Sequence, residues 1–338
     1  MKEIKSLEKG QTALVTGGSG FLGRAIVKLL LAKELNVRIL CRKNYPDLEQ
    51  LGCRIFKGEI SDENLVNRAV KGCDIVFHTA AKAGVEEPYS EYVRINIDGT
   101  NNIIQACLNN NVTRLVYTSS PSVVFSHGDI EGADESLPYP EHYLAYYPET
   151  KAKAEREVLQ NNSDRLATVS LRPHLIWGPG DNHLAPRLIA KAKAGKLRFV
   201  GDGSNLIDTV YIDNAADAHI LAAERLWPGS SIAGKAYFIT NGEPKPLKEI
   251  VNGILAAAGV KPVTATISPK LAWFIGLICE FLWKTFRFSG EPPITRWVAS
   301  ELSTAHWFNI DAAKIDLDYK PAVDIETGMK RLKEFYDG

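Results

Sequence analysis

The opening of the chain leaves few folds available to it. The segment TALVT (12–16) is a short apolar strand, VTGGSGFLG (15–23) is a glycine-rich turn, and FLGRAIVKLLLAKE (21–34) has the pattern of a helix. A strand that passes through glycines straight into a helix is the first half of a βαβ unit. The same rhythm continues. VRILC (37–41), CRIFKGE (53–59), DIVFHTA (74–80), RLVYTSS (114–120) and LATVSLRP (166–173) read as strands. DENLVNRAV (62–70, with Asp62 as its cap), IDGTNNIIQACLNN (97–110) and ETKAKAEREVLQ (149–160) read as helices. Short connections and right-handed crossovers make this an α/β, Rossmann-type doubly wound parallel sheet. Residues 1–173 form the expected dinucleotide-binding core. Beyond them the alternation loosens into a smaller C-terminal α/β substrate lobe (174–338), from which a segment at about 205–240 is expected to return to the core.

Composition narrows the function classes. Forty basic and 40 acidic side chains cancel, and no polybasic block appears, so a nucleic-acid partner has no electrostatic basis. Five cysteines are scattered without a C-x-x-C pair, and the seven histidines lack an H-x-x-x-H spacing. No metal site and no disulfide framework are expected, and a reducing, cytoplasmic setting is. The charged N-terminus MKEIKSLEKGQ has no secretory apolar core.

Gly17, Gly20 and Gly23 have the T-G-x-x-G-x-x-G spacing. Such a turn lets backbone approach a pyrophosphate, whose charge then sits at the N-terminus of the helix that begins with Phe21 and Leu22. The end of the second strand meets the adenosine ribose in this architecture, and an acid there favours NAD. Here Cys41 stands in that place, followed by Arg42 and Lys43, cations suited to a 2′-phosphate. NADP(H) is therefore the preferred cofactor and NAD(H) the second. Glu59 and Ile60, after the third strand, are expected beside the adenine.

The stretch AYYPETK (145–151) places Tyr147 four residues before Lys151, with Tyr146 and Tyr143 nearby. A tyrosine whose pKa is lowered by an adjacent cation can exchange a proton with a carbonyl or hydroxyl oxygen during hydride transfer. On a helix a lysine four residues on lies on the same face. YTSSPSVVF (117–125) ends a strand at the sheet edge where ligands bind, and its hydroxyls can hold the substrate oxygen.

These motifs, with HTAA (78–81), NIDGT (96–100) and LRPHLIWGPGD (171–181), occur in the order seen in extended short-chain dehydrogenases/reductases. The chain resembles that superfamily along essentially its whole length, and within it the 3β-hydroxysteroid dehydrogenase group. The resemblance implies Tyr147 as acid/base and Lys151 as its pKa-lowering, ribose-binding partner. It implies Ser120 as the polarising hydroxyl, with Ser119 and Ser122 as neighbouring candidates. Asn96 and the backbone of His78, Ala80 and Ala81 would border the cofactor together with Ser119, and Pro173 would pack near the nicotinamide. His78 has an equal reading as a strand-end core residue.

The expected reaction is interconversion of a β-hydroxy and a β-keto group on a large apolar substrate. Reduction of a 2-alkyl-3-oxoalkanoate comes first and oxidation of a 3β-hydroxysteroid or sterol second. Arg187, Lys191 and His183 are candidates to meet a substrate carboxylate. LAWFIGLICEFLWKTFRF (271–288) is rich in Trp273, Phe274, Phe281, Trp283 and Phe286, but Glu280, Lys284 and Arg287 make it too short and too charged to cross a bilayer. It reads as a helix that packs on the core or a dimer partner, lids a lipophilic substrate, or meets a membrane surface or partner enzyme. A nucleotide-sugar epimerase or dehydratase of the same fold is the alternative enzyme. A non-catalytic dinucleotide-sensing protein is the alternative from another class.

Overall fold

A computed structural model describes residues 4–84, 88–126, 128–286, 288 and 290–338. Seven strands form one sheet: β1 (Thr12–Thr16), β2 (Asn36–Cys41), β3 (Arg54–Lys57), β4 (Ile75–His78), β5 (Arg114–Thr118), β6 (Ala167–Pro173) and β7 (Lys235–Ile239). Their spatial order is β7-β6-β5-β4-β1-β2-β3, and every pairing is parallel. β1 and β4 are neighbours although the chain passes through β2 and β3 between them. The crevice outside the carboxyl ends of β1 and β4 is therefore the switch point at which such sheets bind ligands.

Helices cover both faces: α1 (Phe21–Ala32), α2 (Glu63–Val70), α3 (Gly99–Asn109), α4 (Tyr146–Gln160) and α5 (Ile212–Ala223). Alternate strand residues serve alternate layers. Ala13, Val15, Ile39 and Phe77 pack with Ile26 and Leu30 of α1 and the small residues of α5. Leu14, Leu40, Val76 and Leu115 pack with Val66 of α2, Ile103 of α3 and Val158 of α4. Burial on both faces explains why these strands are nearly continuous apolar runs. Asp62 caps α2 as expected, its side chain accepting the Leu65 N–H at 3.0 Å.

Among the boundaries that differ from the sequence expectation, three are instructive. β3 stops at Lys57 because Gly58 takes φ 152°, and a Cβ there would lie 2.3 Å from Leu65 Cδ2. α3 continues directly from a π-helical turn, Val93–Asp98. α4 starts at Tyr146 rather than Glu149, and Pro148 is accommodated because the first turn of a helix needs no internal N–H donors.

After β6 the chain leaves the sheet and returns through α5, which packs on α1, and through β7, which extends the β6 edge. A smaller four-stranded sheet joins Ile130–Ala133, Leu206–Ile207, Lys245–Pro246 and His306–Phe308. Two further helices, α6 (Pro269–Phe286) and α7 (Arg296–Ser303), pack on each other. Arg287 lies outside the described residues. Among the described residues no helix is long and apolar enough to cross a membrane, and no cluster of side chains could hold a metal.

Candidate active site

The glycine turn is built for close approach. Gly17 has φ 67°, and a Cβ on it would stand 3.0 Å from the Ala80 backbone. A Cβ on Gly23 would lie 2.2 Å from the Gly17 carbonyl oxygen, so the third glycine lets α1 press against its own loop. Gly20 is the N-cap of α1 and offers no side-chain acceptor, which leaves the first N–H groups of the helix to an external anion. Leu22 is buried beneath the turn and Phe21 is half-buried.

At the end of β2 the Cys41 side chain is buried and donates to the Lys43 carbonyl at 3.2 Å, while Arg42 and Lys43 are exposed. Glu59 is ion-paired with Arg94, which also binds Glu91 at 2.7 Å. Those bonds hold the Glu59 carboxyl below its ordinary range. Ile60 is buried against Gly99, where a Cβ would be 2.6 Å away, and its carbonyl accepts from Asn102 at 3.0 Å. Glu59 thus reaches the loop's outer side, while the Ile60 side chain is a core contact.

A polar row crosses the sheet below the crevice. Thr16, His78 and Tyr117 are aligned partners on β1, β4 and β5. His78 is fully buried, with Nδ1 2.6 Å from Thr16 Oγ1 and Nε2 3.0 Å from Thr100 Oγ1. Burial, reinforced by the Lys151 charge, pulls its pKa to about 3. The neutral ring is fixed as the Nε2–H tautomer, because Thr100 spends its own proton on the Asn96 carbonyl at 2.6 Å. His78 is thus the strand-end core residue rather than a side chain facing the crevice. Asn96 is also a structural tie. Its side chain accepts from Lys82 N at 2.7 Å and donates to Lys82 O and Thr150 Oγ1, both at 3.0 Å, stitching the loop after β4 to α4. Ala80 N donates to Thr16 Oγ1 at 3.2 Å, and Ala81 is exposed at the crevice side.

Lys151 and Tyr147 both lie on α4, but their polar atoms have different partners. The Lys151 ammonium is 2% exposed and donates to Tyr117 Oη at 2.6 Å and to the Thr118 carbonyl at 2.7 Å. Burial lowers its pKa to about 7, opposed by the Glu155 carboxylate. Tyr147 is held above its ordinary pKa by burial, with the Ser120 hydroxyl pulling down and the Glu301 carboxylate pushing up. The expected lowering of Tyr147 by Lys151 is therefore not what acts on the phenol here. Tyr117, at the end of β5, stands in the path of the lysine.

Ser120 accepts from Ser122 N at 3.2 Å and pairs with Ser122 Oγ at 2.9 Å, opening a short 3-10 turn. The Ser119 hydroxyl is buried with no partner among the described residues. Pro173, buried, ends β6. Tyr143 donates to the Val123 carbonyl at 2.9 Å, and Tyr146 is 47% exposed beside Tyr89. Below the site, Glu155 binds Arg172, Ser170 and Tyr139 at 2.6–2.7 Å, with the ion pair almost wholly buried.

A tyrosine with a serine hydroxyl on it at a strand end, a buried lysine one turn on, and a glycine turn at the switch point define a dehydrogenase-type site. The model of the 3-beta hydroxysteroid dehydrogenase/isomerase family matches residues 14–269. The chain belongs to this family.

A 2-alkyl-3-oxoalkanoate reductase of Stenotrophomonas maltophilia is 51% identical over 323 residues, covering 95% of this chain and 98% of its own. A decarboxylating sterol-4-alpha-carboxylate 3-dehydrogenase of Candida albicans is 36% identical over 340 residues, covering 95% and 96%. Among solved structures, MoeE5 in complex with UDP-glucose and NAD superposes with a TM-score of 0.73 at 25% identity, covering 96% of this chain and 98% of that one. The protein is thus an oxidoreductase of nicotinamide-dependent type that acts on hydroxyl and keto groups. The nucleotide-sugar reading is not better supported, since that neighbour is 25% identical against 51% for the reductase. A dinucleotide fits this crevice on its own evidence: the uncapped α1 N-terminus, the Gly17 approach and the orphaned Ser119 hydroxyl are all left for a ligand.

Other parts of this 3β-hydroxysteroid dehydrogenase-type chain were less visible in its sequence. Arg187 pairs with Glu291 at 2.8 Å on the surface, Lys191 is exposed, and His183 lies in a turn organised by Asp181. α6 buries only Ala272, Gly276 and Cys279. Gly276 lies against the start of α7, where a Cβ would be 2.7 Å from Arg296 N. Glu280 fixes the two helices by accepting from Arg296 N and Nε, both at 2.7 Å. Phe274, Phe281 and Phe286 are 54–66% exposed, so in the single chain α6 is not a core helix. Trp297 and Glu301 of α7, absent from the sequence reading, are what meets Tyr147: the Tyr147 and Trp297 ring centroids are 6.4 Å apart.

Proposed function

We propose that the protein reduces a 2-alkyl-3-oxoalkanoate with NADPH. The observation that carries this reading is the placement of Tyr147, a half-buried phenol, protonated at neutral pH as phenols ordinarily are, held by the Ser120 hydroxyl at the end of β5. A protonated phenol is the form required to donate to a carbonyl oxygen. The 51% identity to a reductase of that name supports the substrate class. Oxidation of a 3β-hydroxysteroid or sterol is the second reading, supported by the 36% relative.

The reduced nicotinamide, when bound, supplies hydride to the β-carbon. Ser120 and Tyr147 bind the carbonyl oxygen, and Tyr147 passes it the phenolic proton. Lys151, at the carboxyl end of β5, holds Tyr117 and the Thr118 carbonyl and offers its remaining N–H to a ribose hydroxyl. NADP(H) over NAD(H) is supported by the exposed Arg42 and Lys43 and by a buried cysteine in place of an acid. The protein is read as working at a membrane surface through α6. Its exposed aromatic face carries Lys270 and Lys284, and its one acid is neutralised by Arg296.

The test is to follow reduced-nicotinamide absorbance with NADPH and a racemic 2-alkyl-3-keto acid, beside NAD with a 3β-hydroxysteroid. Tyr147→Phe is expected to lower kcat by about 10²–10⁴. Full activity in that variant removes the acid/base assignment. Interconversion of a UDP-sugar with no turnover of either lipid substrate overturns the reading.

A further inference from the structure

The sequence offered Arg187, Lys191 and His183 for the carboxylate of a β-keto acid, and the fold pairs the first with Glu291, leaves the second exposed and ties the third into the Asp181 turn. Among the described residues, the carboxyl group that bears on Tyr147 is that of Glu301. Glu301 and Trp297 are one turn apart on α7, so they share a face, and that face meets Tyr147. Ala299, Ser300 and Ser303 of α7 line a cleft of about 320 Å³ with Trp273 of α6.

Two polar groups on the inner face are unspent. The Trp297 indole N–H is shielded from water and has no acceptor among the described residues. Such a group is costly to leave unpaired and is satisfied by a ligand acceptor. The Glu301 carboxyl makes no hydrogen bond among the described residues either. What anchors its turn is its main chain, whose carbonyl accepts from His306 Nε2 at 2.7 Å. Glu301 is half-buried, and that burial raises its carboxyl to about 8, which favours the protonated form at neutral pH.

We propose that Trp297 and Glu301 form the recognition site for the substrate's carboxylate, the indole N–H and the carboxyl O–H each donating to one of its oxygens. In a β-keto acid the carboxyl carbon is two bonds from the reacting carbon, about 2.5 Å away. A carboxylate held on α7 thus sets the keto oxygen against Tyr147 and Ser120, and the alkyl chain is left to run along apolar surface. Neutral donors suit this task because a buried cation would need its own partner whenever the site is empty.

This inference rests on the keto-acid reading above. Wild type, Glu301→Ala, Glu301→Gln and Trp297→Phe are assayed with freshly prepared 2-alkyl-3-keto acid and with its methyl ester, using NADPH. Glu301→Ala and Trp297→Phe are expected to raise KM for the acid about tenfold or more while leaving KM for the ester within about twofold. Glu301→Gln keeps a neutral donor and is expected to stay near wild type on both. Equal losses on acid and ester, or no loss on the acid in either variant, overturn the carboxylate site and leave the reductase reading intact. Failure of the wild type to reduce either compound overturns the reductase reading itself.

Discussion

Lys151 stands almost wholly out of water, with a carbonyl and a phenol for company and the Glu155 carboxylate one turn further along α4. Its pKa falls from an ordinary 10.5 to about 7. In the unfolded chain the group returns to about 10.4. Between those limits the unfolded chain holds a proton that the folded one lacks, so stability rises with pH across that window. The contribution is complete above about pH 10.4 and is lost as pH falls through about 7. At about 1.4 kcal/mol per pH unit, the whole window holds about 5 kcal/mol.

Lys151→Met removes this dependence and also removes two hydrogen bonds, at about 1 kcal/mol each. The variant is therefore expected to be more stable than wild type by about 3 kcal/mol at about pH 6, with the gap closing to near zero by about pH 9. Its kcat/KM is expected to fall by at least about 10²-fold. Urea unfolding of both proteins at several pH values, alongside the NADPH assay, reads both effects. Parallel pH profiles, or a variant less stable than wild type at about pH 6, refute the view that the lysine is strained by burial.

Four other outcomes follow from the same structure. Gly23→Ala places a methyl 2.2 Å from the Gly17 oxygen and is expected to abolish dinucleotide binding in a fluorescence titration. Glu155→Gln strands the buried Arg172 and is expected to cost about 3–5 kcal/mol in urea unfolding. Arg42→Ala is expected to raise KM for NADPH about tenfold with KM for NADH unchanged; equal KM values before and after remove the 2′-phosphate assignment. A Phe274→Ser/Phe281→Ser double variant is expected to lose flotation with phosphatidylglycerol vesicles while keeping activity on a short-chain substrate, and undiminished flotation removes the membrane reading of α6.

What could be read from the chain beforehand was what short range determines. The βαβ alternation, the glycine turn and the Asp62 cap depend on residues within a few positions of one another, and six of the seven core strands were visible as apolar runs, whereas β7 (Lys235–Ile239) was not read as a strand. The site was legible in residue type and only partly in geometry. Tyr147 and Lys151 announce themselves by spacing, but Tyr117, which claims the lysine, is 34 residues away and meets it only when α4 packs on β5. Trp297 and Glu301 lie about 150 residues beyond Tyr147 and carry no local pattern. α6 was recognisable as a helix, but a nearly unbroken apolar run does not say which side is left open. That was decided by Gly276 and Glu280, which dock it on α7.

The row of Thr16, His78, Tyr117 and Thr100 has one more consequence. Its bonds close only when three strands stand in the pairing observed, because Thr16, His78 and Tyr117 are direct neighbours across the sheet. A slip of one residue sets Val15 or Phe77 in the row and turns the polar groups into the opposite layer, where no partner awaits them. Apolar strands such as TALVT, DIVFHTA and RLVYTSS would otherwise tolerate several alignments almost equally. The histidine therefore acts as a key cut to one alignment. Because burial lowers its pKa to about 3, the ring is uncharged at neutral pH and the row keeps its bonds there.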